Sequence, residues 1–114
     1  FVLPGRFRPV TRAMVGPQTI TAIDGHRVDL AVLGTNGLSD DGVSTPDHDE
    51  AATKSAFVHS GRKVAVLAHS AKFDAVSLVR FAELDQIDVL ITDDAPDEPM
   101  ATHLETAEVE VVTP

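Results

Sequence analysis

The chain has 114 residues, enough for one domain or part of one, and its 18 Asp and Glu against 9 Lys and Arg leave a net charge of −9. That balance excludes a basic stripe for phosphate backbones, so the chain by itself is a poor ligand for nucleic acid, and the absence of Cys excludes a disulfide framework, a thiolate metal site and a Cys nucleophile. No apolar run approaches the roughly 20 residues of a membrane span, no basic segment precedes an apolar one at the start, and Phe1 reads as an expression boundary or a cut inside a longer chain, which together predict a cytoplasmic protein without membrane contact.

In chain order, FVLP at the start is the first candidate strand, and a weak helix is expected over Pro17–Asp24, ending near Gly25. VDLAVL (Val28–Leu33) is continuous and apolar apart from Asp29, as is VAVLA (Val64–Ala68) throughout; DVLIT (Asp88–Thr92) and VEVV (Val109–Val112) are of the same type. Short β-branched runs without polar alternation predict strands buried on both faces, as in a parallel sheet. Between the first two runs, Gly34–Ser44 reads as a long polar loop. Ser44, Thr45 and Pro46 then precede Asp47, Asp49 and Glu50, which predicts a helix start with a hydroxyl cap and carboxylates at the positive end of the dipole. Ala51, Ser55 and Val58 share one face of that helix, Ala52 and Ala56 another, and Gly61 ends it. Residues 74–87 fit either a short helix or an edge strand. A further helix is expected from Pro96, with Met100, Leu104 and Ala107 on its buried face. Strands and helices alternating at this spacing predict an α/β fold: a three-layer αβα sandwich with a mainly parallel, Rossmann-like sheet and helices on both faces.

In an open parallel sheet, ligands bind at the carboxyl ends of the strands. Gly34, Thr35, Asn36 and Gly37 follow the first run, His69, Ser70, Ala71 and Lys72 the second, and Thr92, Asp93 and Asp94 the third. A GTNG turn can offer backbone N–H groups and an amide to a phosphate or a sugar hydroxyl; it can equally be a tight turn needing Gly for positive φ. Lys72 can neutralise a phosphate or simply be a solvated surface Lys. His69 follows a buried strand and can touch a ligand or stand behind one. The five histidines form no i, i+4 pair and no HExxH, so no zinc site is expected, and the acidic residues around Asp40–Glu50 lack EF-hand spacing. Among them, Glu50 is the member that helical geometry can turn inward. No catalytic nucleophile–base pair, metal or cofactor is assigned.

The residues Val15 and Gly16, then VDLAVLGTNGLSDDGVSTPDHDEAATK, VAVLAHSAKF and LDQIDVLITDD, run in an order that resembles the C-terminal effector-sensing domain of the DeoR family of bacterial transcriptional regulators. The most specific parts are D-x-x-x-x-G-x-N-G from Asp29, G-x-x-T-P-D-x-x-E-A from Gly42 and S-x-K-F at Ser70. The resemblance implies a sensor domain over 1–114 related to ribose-phosphate and glucosamine-phosphate isomerase folds. It implies binding of a phosphorylated sugar or related metabolite, and control of carbohydrate metabolism, including phosphotransferase systems, most often as a repressor. It further implies a winged helix-turn-helix outside this chain as the DNA-binding part, and a sensor truncated on its N-terminal side where a D-x-G-T-T loop belongs. A sensor lacking that upstream strand leaves apolar surface uncovered, which predicts a homo-oligomer, dimer or tetramer.

Carried over by position, Gly34, Asn36 and Gly37 match the family's glycine turn, Lys72 its sensor lysine, Glu50 the acidic residue of the next helix, and Gly5 the first glycine of a GG pair. With Thr35 and His69 these make the implied ligand-binding set: Gly34, Thr35, Asn36, Gly37, Glu50, His69 and Lys72. Two positions depart from the pattern: His69 stands where the family has Asp, and Arg6 where it has a second Gly. The competing readings are a sugar-phosphate isomerase-like enzyme, with Glu50, Asp93 or Asp94 as general base, and a dimerisation module without a ligand.

Overall fold

Apolar runs become strands here because β-branched side chains suit an extended backbone packed on a neighbour. The computed structural model describes residues 3–114. In it, β1 (Arg6–Arg8) and β2 (Ala13–Val15) form an antiparallel hairpin, followed by α1 (Pro17–Asp24) and β3 (Val28–Gly34). A second hairpin of β4 (Gly37–Ser39) and β5 (Gly42–Thr45) leads to α2 (His48–Ser60), β6 (Gly61–Leu67) and a 3-10 turn at Ser70–Lys72. Then come β7 (Val79–Ala82), a 3-10 turn at Leu84–Gln86, β8 (Val89–Ile91), α3 (Met100–Thr106) and β9 (Glu110–Val112). The expected strand at FVLP falls partly on residues 1 and 2, outside the described residues; Leu3 and Pro4 lie in no strand.

The main sheet has the order β3–β6–β8–β9 and every pairing is parallel, as the apolar runs predict. A smaller antiparallel sheet, β4–β5–β7, lies beside it. On one face of the main sheet, Ala31, Leu33, Val64, Val66 and Leu90 are buried. They join Leu38, Val43 and Phe81 of the small sheet, Ala51 and Val58 of α2, and Met100 and Leu104 of α3 in one core, with Ala107 packed against it. The other face differs from the expectation of helices on both sides. Its Val28, Leu30, Val32, Leu67, Ile91 and Val112 remain 37–51% exposed, so no described element seals it. None of the described helices is long and apolar enough to cross a membrane.

Helix α2 begins one step later than its hydroxyls suggest. Ser44 and Thr45 belong to β5, and Asp47 is the cap, its carboxylate accepting the Glu50 N–H at 2.8 Å. Ala51, Ala56 and Val58 face inward while Ala52 is exposed. Helix α3 starts at Met100 rather than near Pro96, because a residue preceding proline avoids the α region and Glu98 precedes Pro99. The stretch read as a polar loop folds into the β4–β5 hairpin, joined by Asp40 and Asp41 and register-locked by Ser39 opposite Gly42. Residues 74–87 resolve into β7 and the Leu84–Gln86 turn.

Near the start of the chain, Gly5 has φ 131°, and an added Cβ would lie 1.9 Å from Thr19 Oγ1. Only glycine fits both constraints. The Thr19 hydroxyl of α1 comes this close because it donates to the Pro4 carbonyl at 2.5 Å. The next residue, Arg6, pairs with Asp49 at the surface.

Candidate functional site

Strand register decides where the loops open. Gly34 lies opposite Leu67, Leu67 opposite Ile91 and Ile91 opposite Val112, so the carboxyl ends of all four parallel strands are level. The segments after Gly34, Leu67 and Ile91 therefore emerge along one edge, the place where parallel sheets hold ligands.

The Gly34–Gly37 turn is fixed by its own hydroxyls. Thr35 Oγ1 donates to the Gly37 carbonyl at 2.8 Å, and the Asn36 N–H donates to the Ser44 carbonyl at 3.1 Å. Asn36 Oδ1 accepts from Thr45 Oγ1 at 3.1 Å, which leaves its exposed amide NH2 facing outward chemistry as a donor. Neither Gly34 nor Gly37 has the positive φ that a tight-turn reading requires. Gly37 is demanded by close approach instead: a Cβ there would meet the Ala75 carbonyl oxygen at 2.4 Å. At Gly34 a Cβ would meet nothing within 4 Å.

The segment after β6 docks onto that turn. Leu38 bridges to Phe73, and the Asp74 N–H donates to the Leu38 carbonyl at 2.7 Å. His69 Nδ1 accepts the Ala71 N–H at 3.0 Å, so the ring proton sits on Nε2, 3.6 Å from Asp93 Oδ2. Asp93 also takes the Ser70 N–H at 2.6 Å and the Ser70 hydroxyl at 2.9 Å. These bonds, the Ser70 N–H foremost, hold the Asp93 carboxyl below the usual carboxylate range. Lys72, at the end of the 3-10 turn, is exposed and forms no ion pair with a described residue.

Glu50 lies elsewhere, beneath the first turn of α2 and nearly sequestered from water. Arg8 Nη1 is 3.2 Å from Glu50 Oε2 and 3.2 Å from Asp47 Oδ2, so β1 delivers the counter-charge. One turn along α2, Lys54 sends its ammonium to the Gly34 carbonyl at 2.9 Å and rests 5.3 Å above the Phe81 ring centre. Burial lowers the Lys54 pKa, opposed by the Glu50 charge. Gly34, Glu50 and Lys54 line a cleft of about 430 Å3 that runs along β3 between β2 and α2. A separate cleft of about 280 Å3 lies at Ser70, Asp74 and Asp94. Of the sequence-derived set, the fold thus gathers Gly34 with Glu50, and Asn36 with the loop of His69 and Lys72 on the same sheet edge. Lys54 and Arg8 were not legible as members. The Glu50–Lys54 spacing of four residues is the signal in the sequence that points to Lys54; nothing local marks Arg8.

Comparison with known proteins bears on the same residues. A family model described as the DeoR C-terminal sensor domain matches residues 1–94. The chain is 38% identical over 109 residues to the HTH-type transcriptional regulator GlpR of Haloferax volcanii, covering 95% of this chain and 43% of that protein. It is 34% identical over 115 residues to the HTH-type transcriptional regulator FruR of Bacillus subtilis, covering 100% and 45%. It is 29% identical over 97 residues to the glycerol-3-phosphate regulon repressor of Haemophilus influenzae, covering 84% and 38%. The chain spans less than half the length of these relatives. With the family model matched over β1 to β8 and the glycine turn, α2 and the Ser70–Phe73 segment all in place, the chain belongs to the DeoR C-terminal sensor domain family.

Proposed function

We propose that this chain is the effector-reading part of a cytoplasmic transcriptional regulator of carbohydrate metabolism, acting chiefly as a repressor. It binds a phosphorylated sugar or related metabolite at the carboxyl edge of its parallel sheet and so modulates DNA binding by a winged helix-turn-helix elsewhere in the protein. The observation that carries this reading is the level ending of β3, β6 and β8, which brings the Gly34–Gly37 turn, the His69–Lys72 segment and Thr92–Asp94 to one edge. Asn36 offers an amide donor there for hydroxyls, and Lys72 an ammonium without an ion-pair partner among the described residues for an anion. The glycerol-3-phosphate regulon of the H. influenzae relative's name points to a small phosphorylated polyol as one effector to test.

A non-catalytic role is supported by the state of the carboxylates. Glu50 is committed to Arg8, and Asp93 is held ionised by Ser70, which makes it a weak proton acceptor. The open apolar face of the main sheet, and the span of less than half of each relative, support a sensor completed by further chain and assembled as a dimer or tetramer.

A thermal-unfolding series tests the effector reading. Glycerol 3-phosphate, glucose 6-phosphate and their unphosphorylated counterparts are titrated into the protein. A cognate ligand stabilises by about 2.7 kcal/mol at a hundred times its dissociation constant. A saturable rise with a phosphorylated compound and none with its unphosphorylated counterpart is expected; a flat midpoint with every phosphorylated compound refutes the reading.

A further inference from the structure

We infer that Lys54 is a second cation, besides Lys72, that receives the anionic group of the effector, in the cleft along β3, with Arg8 and Glu50 holding it in position. The inference rests on the effector reading above and adds a residue that the glycine turn and Lys72 do not provide.

The geometry is specific. Glu50 and Lys54 are one helical turn apart and so lie on the same side of α2. The Lys54 ammonium has three donors; one is used on the carbonyl of Gly34, the last residue of β3, at 2.9 Å. Gly34 itself leaves open space where a side chain would stand, so that end of the cleft is reachable from the sheet edge. Along the cleft, Met14, Val15 and Phe57 supply apolar walls. At about 430 Å3 it suits a small phosphorylated metabolite.

The electrostatics set Lys54 apart from Lys72. Water and salt screen Lys72, which is exposed. Lys54 is half-buried against Phe81, and its counter-ion Glu50 is already engaged by Arg8 at 3.2 Å. An ammonium that has lost hydration, and whose carboxylate partner is shared, gains more from an arriving anion than a solvated one does. Its depressed pKa is the signature of that shortfall. Arg8, Glu50 and Lys54 also form a line of alternating charge from the β1–β2 hairpin to the end of β3, so an anion at Lys54 acts on the balance of the whole line.

Two measurements on the whole chain decide it. Calorimetric titration with glycerol 3-phosphate and glucose 6-phosphate compares wild type with Lys54→Met, Lys54→Arg and Lys72→Ala. Lys54→Met should weaken binding about tenfold to a hundredfold, the worth of a hydrogen bond to a charged group, and Lys54→Arg by less. Because Lys54→Met can disturb folding, wild-type protein is also labelled with acetic anhydride at alkaline pH and the sites mapped by mass spectrometry. Saturating ligand should slow acylation of Lys54 and leave Lys63 unchanged. Unaltered affinity in folded Lys54→Met, or protection that falls on Lys72 with none at Lys54, overturns the inference while the effector reading stands. If wild type binds neither phosphorylated probe, the effector reading fails and this inference with it.

Discussion

The two glycines of the GTNG turn answer to different demands, and alanine at each separates structure from ligand contact. At Gly37 an added Cβ lies 2.4 Å from the Ala75 carbonyl oxygen and 2.9 Å from Ser44 Oγ. The first distance is about 1 Å short of ordinary contact, and the atom in the way is backbone, so the Lys72–Ala75 segment has to move off β4. Ser44 Oγ also accepts the Ser77 N–H at 2.9 Å, and a shift there weakens that bond. Overpacking costs about 1–3 kcal/mol and the hydrogen bond about 0.5–1.5 kcal/mol. Gly37→Ala is therefore expected to lose roughly 2–4 kcal/mol, a fall in midpoint of about 4 °C for each kcal/mol. Gly34→Ala meets no atom within 4 Å and sits in extended strand backbone. Its stability should stay within about 0.5 kcal/mol of wild type or rise slightly as the unfolded chain loses freedom. Urea unfolding followed by circular dichroism, with the slope checked for constancy, reads both. A wild-type midpoint in Gly37→Ala, or equal damage in Gly34→Ala, refutes the close-approach account.

Further outcomes follow from the charged residues. Glu50→Ala leaves Arg8 facing Asp47 alone and removes the charge that sustains the Lys54 ammonium. A loss of about 1–3 kcal/mol in urea unfolding and a further fall in the Lys54 pKa by NMR titration are expected; an unchanged Lys54 pKa contradicts the pairing. At Asp93 the carboxyl is held low in the folded chain, so its contribution is present above the unfolded carboxylate value and fades as pH falls through the folded one. The Ser70 amide shift should accordingly titrate below the ordinary Asp range, and a midpoint at or above that range contradicts the hydrogen bonds to Ser70. With a net charge of −9, self-repulsion opposes the compact state. Raising ionic strength from about 10 mM to about 1 M shortens the screening length from about 30 to about 3 Å and should raise the thermal midpoint, which a salt-independent midpoint would disprove.

The parallel sheet was legible because three apolar runs, at Val28, Val64 and Val89, carry no polar alternation, and parallel strands are where such runs go. Helices α1 and α2 announced themselves through Pro17 and the acidic start at Asp47–Glu50. The β4–β5 hairpin did not, because each strand brings one large apolar residue, Leu38 or Val43, among Gly, Ser and Thr. The open face was hidden for a different reason: a run apolar on both sides is the same sequence whether its second cover lies within the chain or outside it. The edge loops followed from the strand ends, so Gly34, Asn36, His69 and Lys72 could be placed on one edge. Lys54 could not, since its setting depends on the Gly34 carbonyl, twenty residues away, and on Phe81 across the core. Likewise Glu50 reads as inward from helical phase alone, but its partner Arg8 comes from a hairpin that local pattern does not join to α2.

Everything proposed for the site depends on a phosphorylated metabolite binding at the carboxyl edge of the main sheet. The most direct measurement is a titration of the isotopically labelled chain with glycerol 3-phosphate and glucose 6-phosphate, followed by amide chemical shifts. The predicted result is a saturable set of shifts confined to Gly34–Gly37, the amides around Glu50 and Lys54, and His69–Phe73, with the unphosphorylated compounds leaving these amides in place. Shifts concentrated at the opposite sheet edge, around Gly25, Gly61 and Asp88, or no shifts at saturating concentrations of either phosphate, would contradict it.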